Sequence, residues 1–163
     1  MKAQTWSLDF AASAVIFLTT LILVMFALNY TLSQSRQQAE MSMMESAAMS
    51  ASDSLVRQPG MPQDWNSANV ATLGLASQEN VLNETKLAEF MGTDYSRIKS
   101  LLGIANYEFY FEVRYTNGTL ASLPGGSQIA KGEYPSDATI VIPVERHALY
   151  MEKPARMVLI LWE

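Results

Sequence analysis

The side chains able to do chemistry in this chain are few and poorly matched to one another. His147 is the only histidine in 163 residues, and Arg146 beside it disfavours a cationic imidazole. Neither a second imidazole nor a carboxylate at metal-ligand spacing accompanies it. The absence of cysteine removes disulfides, thiol nucleophiles and thiolate metal sites together. No Gly-x-x-x-x-Gly-Lys loop, His-Glu-x-x-His pair or acidic calcium-loop spacing occurs. Glu108 and Glu112 share one face of an alternating segment with Tyr110 and Arg114, which describes a solvated or paired surface rather than an acid–base dyad. No catalytic residue, metal ligand or cofactor is expected, and the chain does not read as an enzyme. One modification chemistry has acceptors: Asn83-Glu84-Thr85 and Asn117-Gly118-Thr119 are candidate N-glycosylation triplets, and Asn29-Tyr30-Thr31 is a third that abuts an apolar run. Asn83 also suits a helix cap and Asn117 a turn.

Charge narrows the partners. The chain carries 11 Lys plus Arg against 16 Asp plus Glu, and setting aside Lys2 and Asp9 leaves 10 against 15 from Arg36 onward, so this part holds the whole net charge of −5. Phosphate recognition needs a basic footprint, so nucleic acid is not an expected partner.

The element that must position everything else is FAASAVIFLTTLILVMFAL, residues 10–28, nineteen residues without a charge. As a helix it reaches about 28 Å, close to the roughly 30 Å hydrocarbon thickness of a bilayer. A secretory signal has a basic start, a shorter core and a small-x-small end. Here only Lys2 precedes the run and no Ala-x-Ala-like end follows it, so a retained single span is expected. Lys2 and the external-facing acceptor triplets place the N-terminus in the cytoplasm and residues 59–163 outside.

No Gly or Pro interrupts the chain between Trp6 and Gln58. The sequence therefore predicts one helix over residues 4–58, a rod of about 80 Å. In its outer half Met41, Met44, Ala48, Ala51 and Leu55 recur at spacings of 3, 4, 3 and 4, drawing an apolar stripe that would pack on the head's own core. Methionine adapts to irregular neighbours, so part of the stripe could meet another subunit. Asp53 and Arg57 stand four apart in the favourable acid-first order.

Beyond Pro59-Gly60 short elements follow. Val70 to Leu75 reads as a brief strand, Asn83 as the cap of a helix over Glu84 to Met91, and Thr93 or Asp94 as the cap of a second helix ending at Gly103; the two helices read as a connecting flap. Tyr107 to Tyr115 alternates with period two, the clearest strand of the chain. Asn117-Gly118 supplies a tight turn into Leu120 to Leu123. Pro124 to Ser136 reads as a loop. Ala138 to Tyr150 is extended, with Pro143 marking an edge or bulge, and Arg156 to Trp162 is apolar on both faces like a central strand. The fold class is thus α+β: a long N-terminal helix packed on a small antiparallel sheet spanning about residues 107–163, with short helices in the connecting region.

The residues Met1-Lys2-Ala3 before Gln4, the polar stub Ser7-Leu8-Asp9, the adjoining apolar helix and the C-terminal sheet make the chain resemble the type IV pilin-like proteins of archaea. Gly60-Met61-Pro62-Gln63-Asp64-Trp65 and the closing strand Met157 to Trp162 are similar to elements of some members' heads. The resemblance implies that residues 1–3 are a leader, cut by a prepilin peptidase between Ala3 and Gln4. Leu8 would then be the fifth mature residue and Asp9 the sixth, whereas the family often carries its acid at the fifth. Asp9 either lies in the membrane interface or pairs with a neighbouring subunit's new amine, and the small residues Ala11, Ala12 and Ala14 allow close helix approach. The implied partners are other pilin-like subunits in a homo- or hetero-filament, the peptidase, an assembly ATPase, a membrane platform protein, and membrane lipid before assembly. The implied function is a structural subunit, main or minor, of an extracellular filament. The alternative is an uncleaved single-pass membrane protein whose external head binds a partner or ligand.

Overall fold

A computed structural model describes the backbone of residues 2–163 and the side chains from Asp9 onward. Met1 of the leader expected from the sequence lies outside the described residues. So do the side chains of Ala3 and Gln4, whose backbone belongs to the first helix. The chain divides into two compact units, the first ending at Met41 and the second Ser42–Glu163.

Helix α1, Lys2–Arg57, runs 56 residues without a break. In the second unit its turns bury Met44, Ala48, Ala51, Ser52, Leu55 and Val56. Met41 is 47% exposed, so the packed stripe begins one turn later than the sequence suggests. The helix ends at Arg57, where an α-helix leaves its last carbonyls without internal partners. The chain that follows supplies them. The amides of Leu75, Asn80 and Ala76 donate to the carbonyls of Leu55, Val56 and Gln58 at 2.8, 3.1 and 3.1 Å. Of residues 70–75, expected as a strand, Leu75 serves α1 while the amides of Val70, Ala71 and Thr72 donate to the Asn66 and Met61 carbonyls, so the segment is irregular instead.

The second unit carries a curled mixed sheet of six strands in the order β1-β2-β5-β6-β3-β4. These are β1 (Ala76–Gln78), β2 (Val81–Leu82), β3 (Glu108–Tyr115), β4 (Ala130–Gly132), β5 (Val141–Tyr150) and β6 (Lys153–Trp162). The expected purely antiparallel sheet is corrected at one pairing, since β2 lies parallel to β5 through Val81↔Leu149 and Leu82↔Tyr150. The sheet also starts earlier than residue 107. β4 lies inside what reads as a loop, its pattern of one polar and two small residues being too short to show a period. Leu120 and Ser122 form only isolated bridges to Arg114 and Gln128. β6 is central, between β5 and β3. Pro143 stands on the part of β5 that β2 does not reach, where its missing N–H costs no ladder bond.

Register places Phe109, Phe111, Val113 and Tyr115 beside Leu161, Leu159, Met157 and Ala155, and β5 adds Ile142, Val144 and Ala148 to the same face. That face and the buried side of α1 form one core. Two short helices close it: α2 (Glu84–Gly92), capped by Asn83, and α3 (Tyr95–Leu101), capped by Asp94. Leu87, Phe90 and Ile98 are fully buried, so these helices are part of the core and not a flap. Phe90 meets Phe111 with ring centroids 4.8 Å apart.

Candidate functional site

One helix is long and apolar enough to span a membrane, and none of its most apolar stretch is buried within the chain. Phe10, Ile16, Phe17 and Phe26 are 66–77% exposed. The polar residues of the stretch satisfy themselves locally: Thr19 and Thr20 hydroxyls donate to the Val15 and Ile16 carbonyls, each at 2.8 Å. Asn29 and Thr31 do the same to Met25 and Ala27, each at 2.9 Å. Hydrocarbon offers no hydrogen-bond partners, so this back-bonding lets such side chains lie in lipid at small cost. Asp9, Ala11 and Ala12 are exposed at the start of this stretch and Ala14 is half-buried. Among the described residues nothing covers the side chain of Asp9.

The similarity element Gly60 to Trp65 forms a tightly built knot after α1. The Trp65 indole Nε1 donates to the carbonyls of Pro59 and Gly74 at 3.1 and 2.9 Å. Gly60 has a φ of +79°, and a Cβ there would meet the indole at 2.5 Å. Gly74 passes so close that a Cβ would lie 2.3 Å from the Gln58 carbonyl oxygen. Lys86 reaches the same place from α2, its Nζ donating to the carbonyls of Pro59 and Ala76 at 2.5 and 3.2 Å. Burial pushes this amine below its usual range. Lys131 is placed in the same way, donating to the Met91 and Thr93 carbonyls at the end of α2 at 2.7 and 2.5 Å; burial lowers its pKa while Asp94 opposes the shift. Lys131 thus completes the C-terminus of α2, and Lys86 ties the segment after α1 to β1.

The acceptor triplets fall in two settings. Asn83 is half-buried and its side chain accepts from the Lys86 amide at 3.1 Å. Asn117 is exposed in the β3 hairpin turn, where its side-chain oxygen accepts from the amide and hydroxyl of Thr119 at 3.0 and 2.7 Å. His147 is exposed on the face of β5 away from the core, opposite Arg156 in register, bordering a groove of about 430 Å³ with Glu79 and Asn80. Glu112 is buried under Tyr110 and Arg114, both of which donate to its carboxylate.

One constellation was not visible in the sequence because its members lie far apart along the chain. Tyr95, Glu108, Gly132, Glu133 and Trp162 line a depression of about 280 Å³ at the end of β3. The Tyr95 ring stacks on Phe109 at 4.5 Å, and its hydroxyl donates to Glu108 Oε2 at 2.8 Å while accepting the Phe109 amide at 2.8 Å. Burial, with Glu108 and Glu133 nearby, pushes this phenol up to about 12, although the Phe109 backbone opposes it. Lys99 lies 2.9 Å from Glu108 Oε1, and the hydrogen bonds from Lys99 and Tyr95 lower the carboxyl's pKa. Among the described residues no group of three or more histidine or carboxylate side chains is placed to hold a metal ion. No protein-family model matches the chain, and neither a curated protein nor a solved structure matches it.

Proposed function

We propose that the chain is a pilin-like structural subunit of an extracellular filament of the archaeal type IV kind, stored in the membrane by the first part of α1 until neighbouring helices replace the lipid. The observation that carries this reading is the double demand placed on one helix. Met44, Ala48, Ala51 and Leu55 bury their face in the chain's own core, whereas the apolar side chains from Phe10 to Leu32 remain exposed. Lipid satisfies the second set in a lone subunit, and a bundle of like helices satisfies it in an assembly. The small residues Ala11, Ala12 and Ala14 support close approach in such a bundle. Contacts between different patches of successive subunits do not close, so a filament grows.

In this reading the N-terminus starts in the cytoplasm, a prepilin peptidase cuts between Ala3 and Gln4, and the second unit lies outside. An assembly ATPase and a membrane platform protein supply the work, and the subunit performs no catalysis. Asp9, exposed at the start of the apolar stretch, pairs with the new amine of Gln4 on an adjacent subunit. Mass spectrometry of the native N-terminus tests the proposal. Gln4 as first residue is the expected result. Mature protein that keeps Met1 or Lys2 overturns it and leaves a single-pass membrane protein whose head binds a partner.

A further inference from the structure

The depression at the end of β3 has a chemistry that the filament reading does not use. Its walls are the rings of Tyr95 and Trp162, its acidic rim is Glu108 and Glu133, and Gly132 forms its floor. Gly132 has a φ of +93°, and a Cβ there would stand 2.1 Å from the Phe109 carbonyl oxygen on β3, so no other residue fits. The Trp162 indole is tied to the rim by donation from Nε1 to the Glu133 carbonyl at 3.3 Å. Tyr95 is held by its two hydrogen bonds and its stack on Phe109. Both side chains are thus set before any ligand arrives.

The charges do not cancel. Glu108 is matched by Lys99, whereas Glu133 has no ion-pair partner among the described residues. One negative charge is left over beside the Trp162 indole. Phe109 stacks on the Tyr95 ring and the Lys99 ammonium lies 5.8 Å over it, so of the two aromatic side chains the Trp162 indole is the one without a stacking or cation partner among the described residues. Aromatic faces attract cations through their quadrupole, and a neighbouring carboxylate adds to the attraction. At about 280 Å³ the space is at or below the small end of ligand pockets, roughly 300–1,000 Å³, so it suits a headgroup or one side chain and not a whole metabolite.

We infer that the pocket formed by Tyr95, Glu108, Gly132, Glu133 and Trp162 binds an ammonium or guanidinium group, with Glu133 as counter-ion and the Trp162 indole as its aromatic face. The cation arrives either as a free quaternary amine or on an arginine of another chain. This inference stands apart from the filament reading, because it needs only the folded second unit.

The test is a titration of the full chain in detergent, followed by NMR at the Trp162 indole N–H and the Gly132 amide. Tetramethylammonium represents the free amine, N-acetyl-argininamide the peptide-borne guanidinium, and glucose a neutral ligand suited to aromatic walls. Saturable shifts with one or both cations, none with glucose, and weakening as salt rises from 50 to 500 mM are expected, and the preferred cation identifies the source. Glu133→Gln should weaken binding about two- to fivefold, as for an exposed charge pair. Trp162→Leu should abolish it while leaving the Tyr95–Phe109 stack in place. Should Trp162→Leu fail to fold, Glu133→Gln carries the test, because Glu133 is exposed. No shift with either cation, equal shifts with glucose, or unchanged affinity in Glu133→Gln overturns the inference.

Discussion

Arg146 of β5 reaches across to α1, where its Nη2 stands 3.0 Å from Asp53 Oδ1 and its Nε donates to Ser52 Oγ at 3.1 Å. The approach to Asp53 is off the line of a hydrogen bond, so the contact is Coulombic, and Arg57 is 3.8 Å from the same oxygen. A strand late in the chain is thereby registered against a turn of the first helix. The guanidinium is the one charged group that β5 directs to the core side of the sheet.

Arg146→Ala is expected to lower the stability of the second unit by about 1–2 kcal/mol, since it removes a partly exposed ion pair and one partner of the fully buried Ser52 hydroxyl. Asp53→Asn removes the charge alone and should cost less than about 1 kcal/mol, a difference that shrinks in 0.5 M salt. Thermal unfolding of the full chain in detergent measures both.

Gly74→Ala and Gly92→Ala should act in opposite directions. At Gly74 a Cβ would meet backbone on two sides, Gln58 oxygen at 2.3 Å and Gly60 nitrogen at 2.4 Å, so neither neighbour yields cheaply. A loss of about 3 kcal/mol or more is expected, the upper range for overpacking. Gly92 ends α2 with nothing within 4 Å of a Cβ. There alanine restricts the unfolded chain and should add about 0.4–1 kcal/mol. Denaturant midpoints of the two variants give the comparison.

Alkaline stability should rise and then fall. Lys86 and Lys131 have folded pKa values below the ordinary 10.5, so as pH climbs toward 10.5 the unfolded state sheds protons that the folded state has already lost, and stability increases. Tyr95 and Tyr150 are pushed up to about 12 from 10.0, so between these values the unfolded chain ionises first and stability is lost. Tyr150→Phe should flatten the fall and Lys86→Met the rise, in unfolding curves taken from pH 8 to 12. On the acid side Glu108, held below its ordinary 4.5, withdraws its contribution as pH drops below that value.

Leu21→Arg should release the chain from membranes or block its insertion, because an arginine at the centre of a span costs about 2.5–3.5 kcal/mol on insertion scales. Carbonate extraction of membranes from expressing cells reads the effect. Thr19→Val, which removes a hydroxyl already bonded to its own helix, should leave retention unchanged. Asp9→Ala tests the assembly pairing separately: filament incorporation should fall while membrane retention persists.

Much of the fold was legible where the signal is periodic and local. The run from Phe10 to Leu28, the stripe from Met44 to Leu55, the alternation from Tyr107 to Tyr115 and the caps at Asn83 and Asp94 each depend on neighbours within a few residues, and α1, β3, α2 and α3 follow from them. The legible part ended where an element borrows its partners from afar. Residues 70–75 are apolar enough for a strand, yet their amides are divided between the Asn66 and Met61 carbonyls and the end of α1. Ala130-Lys131-Gly132 has no strand signature and pairs only because β3 presents an open edge. The Tyr95 pocket draws on α3, β3, β4 with the residue that follows it, and β6, segments with no shared motif.

By itself the sequence determined which stretches are helical, which helix faces are apolar, and that an uncharged span opens the chain, because side-chain period and the absence of Gly and Pro act over short range. Only the tertiary structure decided that β2 runs parallel to β5, that Lys86 and Lys131 end on backbone carbonyls, and that one carboxylate remains uncompensated beside the Trp162 indole. Those outcomes depend on which distant groups meet when α1 and the sheet bury their apolar faces together, and no local pattern encodes the meeting.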